Sequence, residues 1–190
     1  LINAYELTGN KKALAAAITL ADDTLRLVGP APKIRIVNTS FQSTPKKPGG
    51  ILLGLESSSI LEPMMRLYRV TGKASYLEFA KYIVETEGCC AIGSIFEAAL
   101  AGKDAKDLGG KIVGHTYSII SCFEGLLEYY RVTGNPRWKE ATLKFYDNVL
   151  AKETAVIGTC CGLGPFPVGV PLESFNHSAL YQTCPKILGL

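Results

Sequence analysis

Between Glu173 and Cys184 the chain reads Glu-Ser-Phe-Asn-His-Ser-Ala-Leu-Tyr-Gln-Thr-Cys, placing a carboxylate, an imidazole and a thiol within twelve residues. A carboxyl group held against apolar side chains such as Phe175 has its pKa raised, which general-acid work at neutral pH requires. Cysteine and histidine are also zinc ligands. One Glu, one His and one Cys also meet by chance, so residue type alone leaves this segment either a site or an ordinary loop. A second group, Gly114-His115-Thr116-Tyr117, opens an apolar-periodic stretch. His115 and Tyr117 would set hydrogen-bond donors and an aromatic face at a helix start, an arrangement that suits hydroxyl-rich ligands such as sugars. The competing reading is that His115 only caps or packs that start. Glu97, Glu124 and Glu128 sit on expected helices. Glu124 and Glu128 are four apart on one face, where like charges slightly disfavour a helix. They read as solvated or salt-bridged positions rather than as cavity lining, and Tyr129-Tyr130 reads as core.

Six cysteines stand at positions 89, 90, 122, 160, 161 and 184. Two vicinal pairs are poor material for a disulfide framework, because neighbouring cysteines bridge only with strain. They read as small buried or site-lining thiols in a reduced compartment, cytoplasmic or periplasmic rather than disulfide-rich extracellular. No CxxC is present, so a closed structural zinc site is not signalled.

The elements that must position these groups announce themselves by a repeat. Ala4-Tyr5-Glu6-Leu7-Thr8-Gly9-Asn10 returns as Leu67-Tyr68-Arg69-Val70-Thr71-Gly72-Lys73 and as Tyr129-Tyr130-Arg131-Val132-Thr133-Gly134-Asn135. Each copy lies between two apolar-periodic stretches, so each is the turn of a helical hairpin. Glycine ends the first helix because it takes the left-handed conformation without steric cost, and Pro136 suits the first turn of the helix that follows. The spacing predicts helices over 1–8, 11–28, 56–71, 74–87, 90–101, 113–133 and 136–152. Tyr76, Leu77, Phe79, Ala80, Ile83 and Val84 form one buried face, as do Trp138, Ala141, Phe145 and Val149. Loops are expected at 29–50, with a short strand at Ile34-Arg35-Ile36-Val37, at 102–112 and at 157–184. A hairpin period near 62 residues predicts an all-α fold, part of an (α/α)6 toroid, rather than a tetratricopeptide array. In a toroid the inner helices line a hollow and the loops at one end carry the chemistry.

Composition narrows the function classes. Apolar residues make up 47% of the 190 and charged residues 19%, which describes a packed globular chain. The net charge of +3 is nearly balanced and the basic residues are scattered, so no nucleic-acid footprint is expected. No apolar run approaches the roughly 20 residues that span a bilayer, and no membrane partner is expected. Residues 1–5 read as the middle of a helix, so the chain is expected to be a single partial domain, 1–190, of a longer protein.

The order of these motifs resembles glycoside hydrolase family 127, the β-L-arabinofuranosidase-like proteins. A helix ends in Leu-Tyr-Arg-Val-Thr-Gly, His-x-Tyr opens the next, and Glu124-Gly-Leu-Leu-Glu-Tyr-Tyr-Arg-Val-Thr-Gly-Asn135 follows. A glycine-rich stretch, Glu173-x-Phe175 and Thr183-Cys184 complete the order. The resemblance covers roughly residues 51–184 and is most specific over 114–150. It implies an (α/α)6 barrel followed by β-sandwich domains, with Glu173 as general acid/base and His115 lining the sugar subsite. It implies a zinc ion held partly through Cys184, with further cysteines downstream supplying other ligands and the nucleophile. Gln182 departs from the pattern, because the family carries a glutamate before Thr-Cys and a neutral amide is a poorer zinc ligand. Cys160 and Cys161 lie upstream of Glu173, the wrong place for the family's catalytic pair. The activity implied is retaining hydrolysis of a terminal sugar from a plant or microbial glycan. The 190 residues alone are expected to be inactive for want of the nucleophile. The competing reading is a non-catalytic helical scaffold whose open helix faces are covered by a second copy, a homo-oligomer.

Overall fold

The structure, a computed structural model, describes residues 1–40, 42–47, 49–50, 52–108 and 116–152. The helices are α1 (Ile2–Thr8), α2 (Lys11–Leu27), α3 (Leu55–Ser58), α4 (Leu61–Thr71), α5 (Ala74–Lys81), α6 (Ile95–Leu100), α7 (Thr116–Thr133) and α8 (Pro136–Lys152). Among the described residues there is no strand, only isolated bridges pairing Val28 with Ile34 and Thr44 with Lys47.

The three Thr-Gly turns fold as one motif. Gly9, Gly72 and Gly134 have φ of 69°, 68° and 69°, and their N–H groups donate to the carbonyls of Tyr5, Tyr68 and Tyr130 at 2.7 Å. The preceding threonine hydroxyl donates to the carbonyl four residues back, at 2.7 Å for Thr71 and 2.9 Å for Thr133. Asn10 and Asn135 then cap the returning helix, with Asn10 Oδ1 accepting from the Lys12 and Ala13 amides and Asn135 Oδ1 from that of Arg137. A Cβ on any of the three glycines would meet nothing within 4 Å, so backbone conformation alone selects glycine there.

The hairpins α1–α2, α4–α5 and α7–α8 stack through their first helices, with α1 on α4 and α4 on α7. At Gly125 the α4–α7 crossing is so close that a Cβ would lie 2.7 Å from the Leu61 side chain and 2.9 Å from the Glu62 amide nitrogen. Behind it Phe123 stacks on Phe145 at 3.9 Å, and Phe96 meets Phe123 edge-on at 5.3 Å. Of the faces expected to be buried, Tyr76, Phe79, Ala80, Ile83 and Val84 in one hairpin and Trp138, Ala141, Phe145 and Val149 in the other are buried, and Leu77 is only partly so.

Ion pairs join corresponding positions of successive repeats. Glu6 follows the first repeat tyrosine and pairs with Arg66, two residues before the second. Arg69 follows the second and pairs with Glu128, two residues before the third, at 2.9 Å. These contacts bring the C-terminal halves of α1, α4 and α7 together, so the first helices run parallel and the glycine corners share one end. The N-terminal ends of α4 and α7 and the C-terminal ends of α2 and α8 therefore lie at the other end, the loop end.

Three expectations need correction. The segment Ile34–Val37 is not a strand: Ile34 makes one bridge to Val28, and a 3-10 turn, Ile36–Thr39, follows. The helix expected over 56–71 is two, broken at Ser59-Ile60, because Pro63 offers no N–H to the Ser59 carbonyl and its ring crowds that oxygen. The helix expected from 90 begins at Ile95, because Gly88 and Cys89 are left-handed (φ 59° and 64°) and Ser94 caps the new helix by accepting from the Glu97 amide at 3.2 Å. Helix 74–87 is confirmed in extent, with its last turn, Tyr82–Glu87, wound as a π-helix.

Candidate active site

Of the expected catalytic, sugar-binding and metal residues, Tyr117 is the one the structure describes. It sits in the first turn of α7, at the loop end, with 59% of its surface exposed. His115, Glu173, Gln182 and Cys184 lie outside the described residues, as does the loop expected over 157–184. The α7–α8 hairpin nevertheless constrains the chain topologically, because α7 begins and α8 ends at the same end of the stack.

Tyr117 heads a polar row that the sequence only half displayed. Ser121, Glu124, Glu128 and Arg131 follow it at helical spacing, each at least partly accessible between buried neighbours. The row spans about 16 Å at 1.5 Å per residue between Tyr117 and Glu128. Glu128 binds Arg69 at 2.9 Å and Arg131 at 2.5 Å with its side chain 13% exposed, so the salt-bridged reading holds for it. Arg66 binds Glu6 and Glu62, and burial holds its guanidinium below its ordinary pKa although Glu128 opposes that shift. The arginine partners were missed because carboxylates were weighed within one helix. Their signal was the repeat, which puts Glu6, Arg69 and Arg131 in one register and Arg66 and Glu128 in another.

The described cysteines do not offer a nucleophile. Cys89, Cys90 and Cys122 are free and buried, as the vicinal pattern led us to expect of these three. The Cys122 thiol donates to the Leu55 carbonyl at 3.5 Å. Burial pushes the Cys89 thiol well up; contact with Cys122 adds to the shift, and the Ser58 hydroxyl acts weakly against it. A nucleophilic thiol needs the opposite shift. Among the described residues no group of three or more His, Cys, Asp or Glu side chains could hold a metal ion. Near the C-terminal end Cys184 offers one thiolate and Gln182 a neutral amide. A neutral amide is a poorer zinc ligand than the glutamate that the resemblance implies before Thr-Cys.

A network missed in the sequence pins the loop end. Arg35 forks onto Glu87, Nε to Oε1 at 3.0 Å and Nη2 to Oε2 at 2.9 Å. The Tyr82 hydroxyl donates to Glu87 at 2.8 Å and accepts from the Ile36 amide at 3.2 Å. Burial is the main cause that pushes the Tyr82 phenol up to about 12.

The described residues form an all-α stack of hairpins with a polar row along α7. The family model described as "Beta-L-arabinofuranosidase, GH127 catalytic domain" matches residues 1–181, and the chain belongs to that family. The match takes in His115, Tyr117 and Glu173 and stops short of Gln182 and Cys184. No curated protein and no solved structure matches the chain. No described helix is long and apolar enough to cross a membrane.

Proposed function

We propose that the chain supplies the acid/base carboxylate and part of the sugar subsite of a β-L-arabinofuranosidase-like glycoside hydrolase. The observation that supports this most is the family match across residues 1–181, combined with the shared end of α7 and α8. In this reading Glu173 protonates the departing glycosidic oxygen and later removes a proton from the attacking water. Tyr117 holds the sugar from the first turn of α7, where an exposed phenol can hydrogen-bond a hydroxyl and its ring can cover a C–H face, and His115, which precedes α7 in sequence, assists it. A thiolate attacking the anomeric carbon would make the reaction retaining, and none of the buried described thiols can play that part. The substrate is a terminal sugar of a plant or microbial glycan.

The test is hydrolysis of p-nitrophenyl β-L-arabinofuranoside by the full-length protein. Glu173→Gln is expected to lower kcat by about 10²- to 10⁴-fold, the usual share of general acid–base catalysis. Activity indifferent to that change removes Glu173 from its role. Absence of hydrolysis in the unaltered protein leaves the scaffold reading.

A further inference from the structure

A cavity of about 520 Å³ opens between the C-terminal end of α2, the 28–33 connection and α5 with its π-turn. The reaction proposed above uses none of its residues. Its size falls in the usual range for small-molecule sites, roughly 300 to 1,000 Å³, and one or two sugar rings fit such a volume. Leu25, Val28 and Phe79 give it an apolar floor.

The charged rim is balanced, with Lys33 and Lys81 against Glu78 and Glu85. A phosphate or carboxylate ligand would favour an excess of cations, whereas paired donors and acceptors suit a neutral polyhydroxyl ligand. Two rim groups are already held in place. The Lys33 ammonium donates to the Leu25 carbonyl at 2.5 Å, and the Glu85 carboxylate accepts from the Tyr129 hydroxyl at 3.0 Å. The Ser75 hydroxyl, which also lines the cavity, is buried without a hydrogen-bond partner. The π-turn Tyr82–Glu87 carries Glu85 and Thr86 on this wall, and π-turns are frequent at functional sites. Its geometry is fixed from behind by the Arg35–Glu87–Tyr82 network.

We propose that this cavity is an accessory saccharide site that takes one or two neutral sugar units of the glycan whose end occupies the active site. The assignment of the ligand as a glycan rests on the glycosidase reading; the cavity and its rim do not. Thr86→Trp fills the cavity from an exposed position, and Glu78→Ala removes a rim acceptor with little risk to folding. Both variants of the full-length protein should hydrolyse p-nitrophenyl β-L-arabinofuranoside as the unaltered protein does. Their KM for an L-arabinofuranosyl trisaccharide should rise at least fivefold. Calorimetric titration of the trisaccharide into Glu173→Gln protein should show one site, whose affinity falls at least fivefold when Thr86→Trp is added. An unchanged KM in both variants, or a single site that Thr86→Trp does not affect, overturns the proposal. If the unaltered protein hydrolyses nothing, the glycosidase reading fails. A titration site abolished by Thr86→Trp would then still establish the cavity, and the lack of one would dismiss it.

Discussion

Single residues at the loop end carry more of the account than their number suggests. Tyr82 hydrogen-bonds a carboxylate and an amide at once, so Tyr82→Phe leaves Glu87 and the Ile36 amide each short of a partner. A loss of about 1 to 3 kcal/mol is expected in denaturant unfolding. The phenol's folded pKa of about 12 lies above the unfolded value near 10. Its contribution is therefore complete below about pH 10 and declines as pH rises towards 12, because the folded state keeps a proton that the unfolded state has lost. Stability measured between pH 9 and 11.5 should fall more steeply in the unaltered protein than in Tyr82→Phe; equal slopes would refute the assignment. The thiols of Cys89, Cys90 and Cys122 make a second residue-scale case. Peptide mapping after brief alkylation should find them unlabelled in the native protein and labelled after unfolding, since buried thiols react slowly, and burial also holds the Cys89 and Cys90 thiols up in pKa.

At the scale of elements, the hairpin corners and the α4–α7 crossing test two different uses of glycine. Gly72→Ala meets no neighbour and should cost only the left-handed conformation, about 1 to 2 kcal/mol, with Gly72→Asn costing less. Gly125→Ala has an ordinary helical backbone but would press on Leu61 and the Glu62 backbone, so about 1 to 3 kcal/mol of overpacking is expected. If thermal unfolding ranks Gly125→Ala as harmless, the close crossing is wrong. A double-mutant cycle on Arg69 and Glu128 should return a coupling of up to about 1 kcal/mol that weakens with added salt, because Arg69 is half exposed. The corners were legible because local chemistry decides them: threonine, glycine and a capping residue need no tertiary partner. Other boundaries were signalled but outweighed by apolar periodicity, as with Pro63 and with Ser94, which caps three residues ahead of Glu97. The π-turn and the 3-10 turn at Ile36–Thr39 had no such local sign. They follow from Arg35, Tyr82 and Glu87 meeting across the fold, a contact between residues 52 apart in sequence.

At the scale of the whole molecule, the described residues form a stack of hairpins whose repeat also sets a charge register from one first helix to the next. That register and the family match were visible as repetition and as motif order in one sequence, whereas the cavity between α2 and α5 was not, because its walls come from unrelated stretches. The candidate site was legible as residue types; of its members the structure places Tyr117, at the expected helix start and accessible. Joining α7 and α8 in one hairpin puts the start of α7 and the end of α8 at one end, and the proposed mechanism depends on His115 and Glu173 meeting there. The direct measurement is a crystal structure of the full-length protein with L-arabinose bound. The account predicts the sugar against Tyr117 and His115, with a Glu173 carboxylate oxygen within about 3 Å of the anomeric hydroxyl. A sugar seated at the Gly9, Gly72 and Gly134 corners, or a Glu173 carboxylate directed away from the first turn of α7, would contradict it.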